Sequence, residues 1–308
     1  MRIVDLFCGA GIGAAGAKEN GDEIIFAVDN DPWAVKAYNK NIANVARCAD
    51  IRDLSVESIP KDYDVLLATP TCKSFSVAGA GRGFDDEKSG DLIYYFSYIL
   101  QATMPKAFFF ENVAGMVSKK HEEEFKSAVK EIEAYGYNIT YQVLNCADYG
   151  VPQDRKRLFM VGIRKDIHKP FAFPDTVENK TTLRDAIYDI KDQENQKETL
   201  ELGYSTRFTS RNRQRQWDQQ SYTIVSEARH MPLYPEPANY DFRNKNIDMS
   251  NPPRRFTVRE CLRIQTCPDW FQFPEDMPLK NQYIRCSGIP SLFSKKVFAQ
   301  IKKCITED

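Results

Sequence analysis

No two of the eight cysteines stand in a CxxC pair, and none of the three histidines lies near a cysteine in a zinc-type spacing. A zinc ribbon or finger is therefore not expected, nor any other metal site. The chain opens with no signal-peptide pattern and carries no apolar run long enough to cross a bilayer. Scattered thiols without a leader point to a reduced, cytoplasmic protein. An excess of charge is missing too: 42 basic against 43 acidic residues leave a net charge of −1. A nucleic-acid partner cannot be argued from global charge, so any basic face has to be local. Internal repeats and low-complexity stretches are absent as well, which sets aside solenoids and linker-like tails.

What is present is a globular composition. The 308 residues are 42% hydrophobic and 28% charged, enough for one large domain or a large and a small one. The first half alternates apolar runs with helix-compatible segments. Met1 to Phe7 reads as a strand, Cys8-Gly9-Ala10-Gly11-Ile12-Gly13 as a glycine turn, and Ala14 to Asn20 as a helix. Strand, glycine turn and helix together form a nucleotide-type loop, in which backbone N–H groups can approach a ligand closely. Glu23 to Val28 is a second strand with Asp29 at its tip, where an acid can accept from ribose hydroxyls. Asp31 as cap and Pro32 at the first position predict a helix through Asn41. Asp50-Ile51 closes a third unit, with Asp50 placed to accept from an adenine amino group. Three successive strand ends that are glycine-rich, acidic and acidic imply a nucleoside cofactor.

The organising stretch is Tyr63 to Gly79. Val65 to Ala68 reads as a buried strand, Thr69-Pro70-Thr71 breaks it, and Cys72 follows on the loop at its carboxyl end. That edge of an open α/β sheet is where ligands and chemistry collect, so Cys72 is the candidate nucleophile. A polar, glycine-rich loop spans Arg82 to Gly90, and an aromatic-rich helix is expected from Asp91 to Ala102. Pro105 to Phe110 reads as another buried strand, ending in Glu111-Asn112-Val113. A charged amphipathic helix follows over Lys119 to Tyr135, then strands over Asn138 to Asn145 and Arg157 to Ile163. Between those strands lies the basic knot Gln153-Asp154-Arg155-Lys156-Arg157, suited to an anion or a base.

From Pro170 to about Pro278 the alternation stops, prolines recur and short polar segments dominate. Tyr204 to His230 interleaves Arg207, Arg211, Arg213, Arg215 and Arg229 with Tyr204, Phe208, Trp217 and Tyr222. Arginines among aromatics suit phosphate contact and major-groove readout of guanine. Phe256 to Gln265 is a helix candidate, Gln282 to Pro290 a loop, and Ser291 to Cys304 a terminal helix.

These residues in this order resemble the cytosine-C5 DNA methyltransferases. DLFCGAGIG is similar to the family's first cofactor motif, and Asp29 and Asp50-Ile51 match its ribose and adenine positions. The Cys72 loop matches the catalytic loop, Glu111-Asn112-Val113 the ENV motif, and Gln153 to Arg157 the QxRxR motif. RRFTVRECLRIQTCPDWF, from Arg254, is similar to a further family pattern, so the match covers nearly the whole chain. Tyr204 to Ile224 resembles the target-recognition segment of the GGCC-specific members, although Ser226 to His230 departs from it.

The resemblance implies a doubly wound, Rossmann-like α/β methyltransferase sheet and a smaller, irregular target-recognition domain. Residues 1–170, completed by 280–308, would form the catalytic domain, and 171–279 the recognition domain. Cys72, Glu111, Arg155 and Arg157 would be catalytic. S-adenosylmethionine would lie against Asp5, Phe7, Gly9, Gly11, Gly13, Asp29, Asp50, Ile51 and Leu92, with Lys73 and Ser287 beside it. Arg211, Arg213, Arg215 and Arg229 would contact double-stranded DNA, with Arg213 and Arg215 as guanine readers. A monomer, and a cognate restriction endonuclease for the same site, are the expected assembly and partner.

Two motifs depart from the family. Pro70-Thr71-Cys72-Lys73 stands where PPCQ is usual, and Cys286-Ser287-Gly288-Ile289-Pro290 where GN(S/A)VP is usual. Lys73 and Arg285 add cations and Ser287 is smaller than asparagine. That combination would suit a donor bearing a carboxylate, carboxy-S-adenosylmethionine, and a 5-carboxymethylcytosine product. A degenerate DNA-binding relative without turnover is the other alternative. A nicotinamide-dependent oxidoreductase would use the glycine loop but leaves Cys72 and the arginine segment unexplained.

Overall fold

The computed structural model describes residues 1–70, 92–191, 199–200, 203–244, 250 and 252–306. Thr71, Cys72, Lys73, the Arg82–Gly90 loop and Asp91 lie outside the described residues.

Seven strands make one sheet: β1 (Arg2–Leu6), β2 (Glu23–Asp29), β3 (Ala46–Cys48), β4 (Val65–Ala68), β5 (Ala107–Val113), β6 (Tyr137–Asn145) and, after a two-residue β7 (Gln153–Asp154), β8 (Lys156–Arg164). Their order is β3-β2-β1-β4-β5-β8-β6. The first five are parallel, and β8 runs antiparallel to β5. The centre is apolar on both faces, as a sheet covered on both sides requires: every residue of β4 is buried, and Phe108, Phe109 and Phe110 of β5 are 0% exposed. The order reverses between β1 and β4. In such a sheet the crevice outside the carboxyl ends of those two strands is the binding position.

Helices α1 (Ile12–Glu19), α2 (Pro32–Asn41), α3 (Leu92–Thr103) and α4 (Glu122–Ala134) supply the connections. The α2 start is locally encoded: Asp31 accepts from the Trp33 and Ala34 N–H groups, with Pro32 at the first position. In α4, Phe125, Val129 and Ile132 recur at helical spacing and are buried, while three glutamates occupy the first turn, the favourable end for negative charge. On one sheet face Phe96 of α3 meets Phe108 and Phe110 at centroid distances of 5.4 and 5.1 Å. Gly162 of β8 is required here, because a Cβ there would lie 2.0 Å from Phe108 Cε1. The other face packs Phe109 edge-on against Phe298 of the terminal helix.

By packing, the chain forms two units. The first comprises Met1–Leu144, Lys156–Pro174 and Ser294–Asp308; the second comprises Asn145–Arg155 and Asp175–Phe293. Residues 145–155 and 280–293 thus group with the second unit, unlike the bounds expected from the sequence. In the second unit β7 pairs parallel with β9 (Ser221–Tyr222), and α5 (Leu183–Ile187), α6 (Thr206–Thr209), α7 (Val258–Ile264) and α8 (Leu279–Arg285) are short. Helix α8 occupies part of what reads in sequence as a loop from Gln282. Capping boxes at Thr182 and Thr257 start α5 and α7. A small apolar cluster of Phe208, Leu233 and Tyr240 anchors the irregular part. The terminal helix α9 (Ser291–Thr306) begins in the second unit and belongs to the first from Ser294 on. There the Ser294 hydroxyl donates to the Gly13 carbonyl, 2.7 Å away.

Candidate active site

The turn after β1 is held by backbone geometry that few residues tolerate. Phe7 (φ 58°), Gly9 (φ 52°) and Gly11 (φ 90°) are all left-handed. At Gly11 a Cβ would also lie 2.5 Å from Ile42 Cγ1, so glycine is required on both counts. Asp29 at the end of β2 ties this turn to the next: Oδ2 accepts from Gly9 N–H at 2.9 Å and Oδ1 from Asp31 N–H at 2.9 Å. Thr69, following β4, closes the third side by donating its hydroxyl to the Phe7 carbonyl at 2.9 Å.

Beneath the turn lies a carboxylate on an apolar strand. Asp5 is 1% exposed; its Oδ2 accepts from the Tyr38 hydroxyl at 2.9 Å, and its Oδ1 is buried with no hydrogen-bond partner among the described residues. Burial pushes the Asp5 carboxyl up to about 8, and the Asp29 charge adds to that rise, against the Tyr38 hydrogen bond. The Cys8 thiol is raised well above its ordinary value by burial and then by Asp5 and Asp29, which keeps it an inert thiol. Further along the edge, Asp50 caps the turn Ile51–Asp53, accepting from Arg52 N–H at 2.9 Å and pairing with its guanidinium at 3.1 Å. Ile51 and Leu92 are buried in the core.

Glu111 sits inside β5, whose pairing with β8 carries the strand on through Val113. Ala68, the last residue of β4, pairs with Phe110, so Glu111 is one register step beyond the end of β4. Arg157, at the start of β8, brings Nε within 3.2 Å of Glu111 Oε1. Both side chains are largely buried, at 11% and 17% exposure, so the pair is weakly screened.

Within the second unit, Arg155 is 4% exposed and donates through Nη1 to the Ile224 carbonyl at 3.3 Å. The arginines expected from the sequence to contact DNA divide into two kinds. Arg213 donates to the Phe208 and Arg207 carbonyls and lies over the Phe208 ring, and Arg215 pairs with Asp154 at 3.3 Å and lies over Tyr222. Arg211 and Arg229 are exposed. Arg285 donates to the Asn281 backbone carbonyl at 2.9 Å, and Ser287 follows Cys286 on the turn after α8. Two residues whose role sequence reasoning passed over prove central to this geometry: Tyr38 and Thr69. Tyr38 reads in sequence as an ordinary apolar-face residue of α2, and only its partner Asp5 reveals its role.

A family model described as C-5 cytosine-specific DNA methylase matches residues 1–303. The Type II methyltransferase M.FnuDI of Fusobacterium nucleatum is 39% identical over 89% of this chain and 86% of its own length. M.MthTI of Methanothermobacter thermautotrophicus is 36% identical over 98% of this chain and 97% of its own. Among solved structures, the S. pombe Dnmt2 methyltransferase superposes with a TM-score of 0.73 at 17% identity, covering 99% of both chains. The Entamoeba histolytica methyltransferase EhMeth does so with 0.74 at 15% identity, covering 100% of this chain and 99% of its own. At such identities these two likenesses speak for the fold alone, whereas the family model and the curated relatives speak for the chemistry. The chain belongs to the C-5 cytosine-specific DNA methylase family.

Proposed function

We propose that the protein is a sequence-specific DNA methyltransferase of a restriction–modification system, which transfers a methyl group from S-adenosylmethionine to C5 of a cytosine flipped out of duplex DNA. The observation that carries the reading is Glu111 one register step beyond Ala68, the last residue of β4, with Arg157 3.2 Å from its carboxylate.

The turn after β1 fits the donor. A Cβ at Gly9 would meet nothing within 4 Å among the described residues, so the turn leaves open space beside its backbone, with the buried Asp5 carboxyl on the strand that leads into it. When bound, S-adenosylmethionine supplies a methyl group on a positive sulfur. Asp5 and the Gly9–Gly11 turn would hold it, with Asp29 toward the ribose. Arg285 is turned onto Asn281, so the ordinary methyl donor, not a carboxylated one, is proposed.

Cytosine C5 is a poor nucleophile. Attack of the Cys72 thiolate on C6 forms the S–C6 bond and pushes the electron pair toward C5, making an enamine. Glu111 holds or protonates N3 as charge builds there, and Arg157 keeps the Glu111 carboxyl in place. Arg155 orients the base. After C5 takes the methyl group, loss of the C5 proton returns the electron pair and breaks the S–C6 bond, freeing Cys72. The base must leave the stack first, at a cost of about a few kcal/mol. The Tyr204–Ile224 segment supports a GC-rich target, GGCC or a close relative.

The test is to incubate purified protein with GC-rich duplex DNA and either donor, then weigh the nucleosides. 5-Methylcytosine from S-adenosylmethionine is the expected product; an unmodified duplex, or a carboxymethyl product only, overturns the proposal.

A further inference from the structure

The second unit contains a continuous chain of buried amides that the reaction above does not use. The Ile224 N–H donates to Gln153 Oε1 at 2.9 Å. Gln153 Nε2 donates to Gln265 Oε1 at 2.9 Å, and Gln265 Nε2 donates to the Cys286 carbonyl at 2.7 Å. Ile224, Gln153, Gln265 and Cys286 are each 0% exposed. Four segments far apart in sequence meet in it: the end of the recognition segment, the start of the basic knot, the last turn of α7 and the end of α8.

The ends of the chain are fastened too. The Ile224 peptide is held on both sides, its N–H by Gln153 and its carbonyl by Arg155. Thr223 donates its hydroxyl to the Asp154 carbonyl at 2.6 Å, and Ser221–Tyr222 pairs with Gln153–Asp154, so a shift of the recognition segment moves β7 with it. At the other end Ser291 N–H donates to the Gln265 carbonyl at 3.0 Å, which brackets the Cys286–Pro290 turn between two bonds to one residue. An amide uses donor and acceptor at once, so each glutamine senses both neighbours. In a dry interior a broken link leaves a buried polar group without a partner, and the chain favours an all-or-none arrangement.

We propose that Gln153 and Gln265 are positioning residues that couple the seating of target DNA on the Ser221–Ile224 segment to Arg155 and to the Cys286–Pro290 turn. This rests on the methyltransferase reading, in which Arg155 meets the base and Ser287 lies toward the donor. Neither glutamine touches a reacting atom. Their work is to make cofactor affinity depend on bound DNA, and by thermodynamic reciprocity DNA affinity depend on cofactor.

The experiment titrates S-adenosylmethionine into the full-length protein, alone and with a saturating duplex containing every four-base-pair word. The ratio of the two dissociation constants is the coupling factor. The wild type is expected to give a factor of about fivefold or more. Gln153→Met and Gln265→Met, which keep side-chain length but remove the amide, are each expected to bring it to within about twofold of unity. The double variant should lose no more than either single one, because one chain can be cut only once. A merely structural role would lower the thermal midpoint and leave the factor untouched. If a methionine variant does not fold, Gln265→Asn, too short to span both partners, is measured in its place. A wild-type factor of one, single variants that keep the wild-type factor, or additive losses each overturn the proposal. A wild type that binds no S-adenosylmethionine overturns the methyltransferase reading as well, and is told apart by that absence of binding.

Discussion

Arg157 Nε lies 3.2 Å from Glu111 Oε1, across the antiparallel pair of β5 and β8, where Val113 faces Arg157 in register. The contact places a fixed cation beside the carboxyl assigned to cytosine N3. Arg157 therefore fixes the position of the Glu111 carboxyl at the end of the β5–β8 pair.

Glu111→Gln keeps the shape and an acceptor for Arg157 but removes the exchangeable carboxyl proton. Methyl transfer to duplex DNA is expected to fall by about a hundredfold or more. S-adenosylmethionine affinity, measured by titration, should stay within about threefold, since Glu111 does not touch the donor in this mechanism. An equal loss in both would contradict the role.

Cys72→Ala is expected to abolish turnover and leave S-adenosylmethionine binding intact. Denaturing electrophoresis after incubation with S-adenosylmethionine and duplex DNA carrying 5-fluorocytosine, whose C5 fluorine cannot leave as the proton does, should show a trapped covalent complex with the wild type and none with the variant. Alanine-variant activity within about tenfold of wild type would remove the nucleophile assignment.

Asp5 gives the fold a pH dependence of definite sign. Its folded-state value, pushed up to about 8, lies above the ordinary carboxyl value of about 3.9 in the unfolded chain. Below the lower value both states hold the proton and the contribution is fully present. Between the two the folded state binds more protons than the unfolded state, so stability falls as pH rises and levels off above about 8. Asp5→Asn should lack that slope: its thermal midpoint relative to wild type is expected to rise steadily from pH 5 to pH 8. Parallel curves for the two proteins would show that Asp5 does not titrate in this range.

Gly11→Ala combines a left-handed φ of 90° with a Cβ 2.5 Å from Ile42 Cγ1. The strain is expected to cost about 1–3 kcal/mol and to weaken S-adenosylmethionine binding by moving the turn. Chemical denaturation and cofactor titration on the same preparation check both effects, and an unchanged denaturation midpoint would refute the first.

The sequence makes legible whatever its near neighbours encode. Asp31 and Pro32 sit side by side and start α2; Val65 to Ala68 is a short apolar run and forms the central β4. Glu111 reads as lying past the end of its strand because the apolar run stops at Phe110, yet pairing with β8 carries the strand to Val113. The seven residues of α8 bury only Tyr283 and have no side-chain cap, so neither periodicity nor a start signal announces the helix. Gln153 and Gln265 are 112 positions apart, and nothing local in either suggests the other. Arg213 and Arg215 look like free guanidinium groups in sequence, whereas their carbonyl, carboxylate and ring partners appear only once the second unit is folded.

Ser294 at the head of the last helix donates to Gly13, and Phe298 covers Phe109 on the sheet. Ribosomal synthesis delivers these partners at opposite times. The sheet strands emerge first and residues 175–293 emerge next, so the helix that shields Phe109 arrives only after both. Until then the nascent chain carries an uncovered aromatic face on an otherwise complete sheet, the kind of surface that chaperones bind and that aggregates when left waiting. A chain cut before Ser294 would therefore lose both the Phe298 cover over Phe109 and the bond to Gly13.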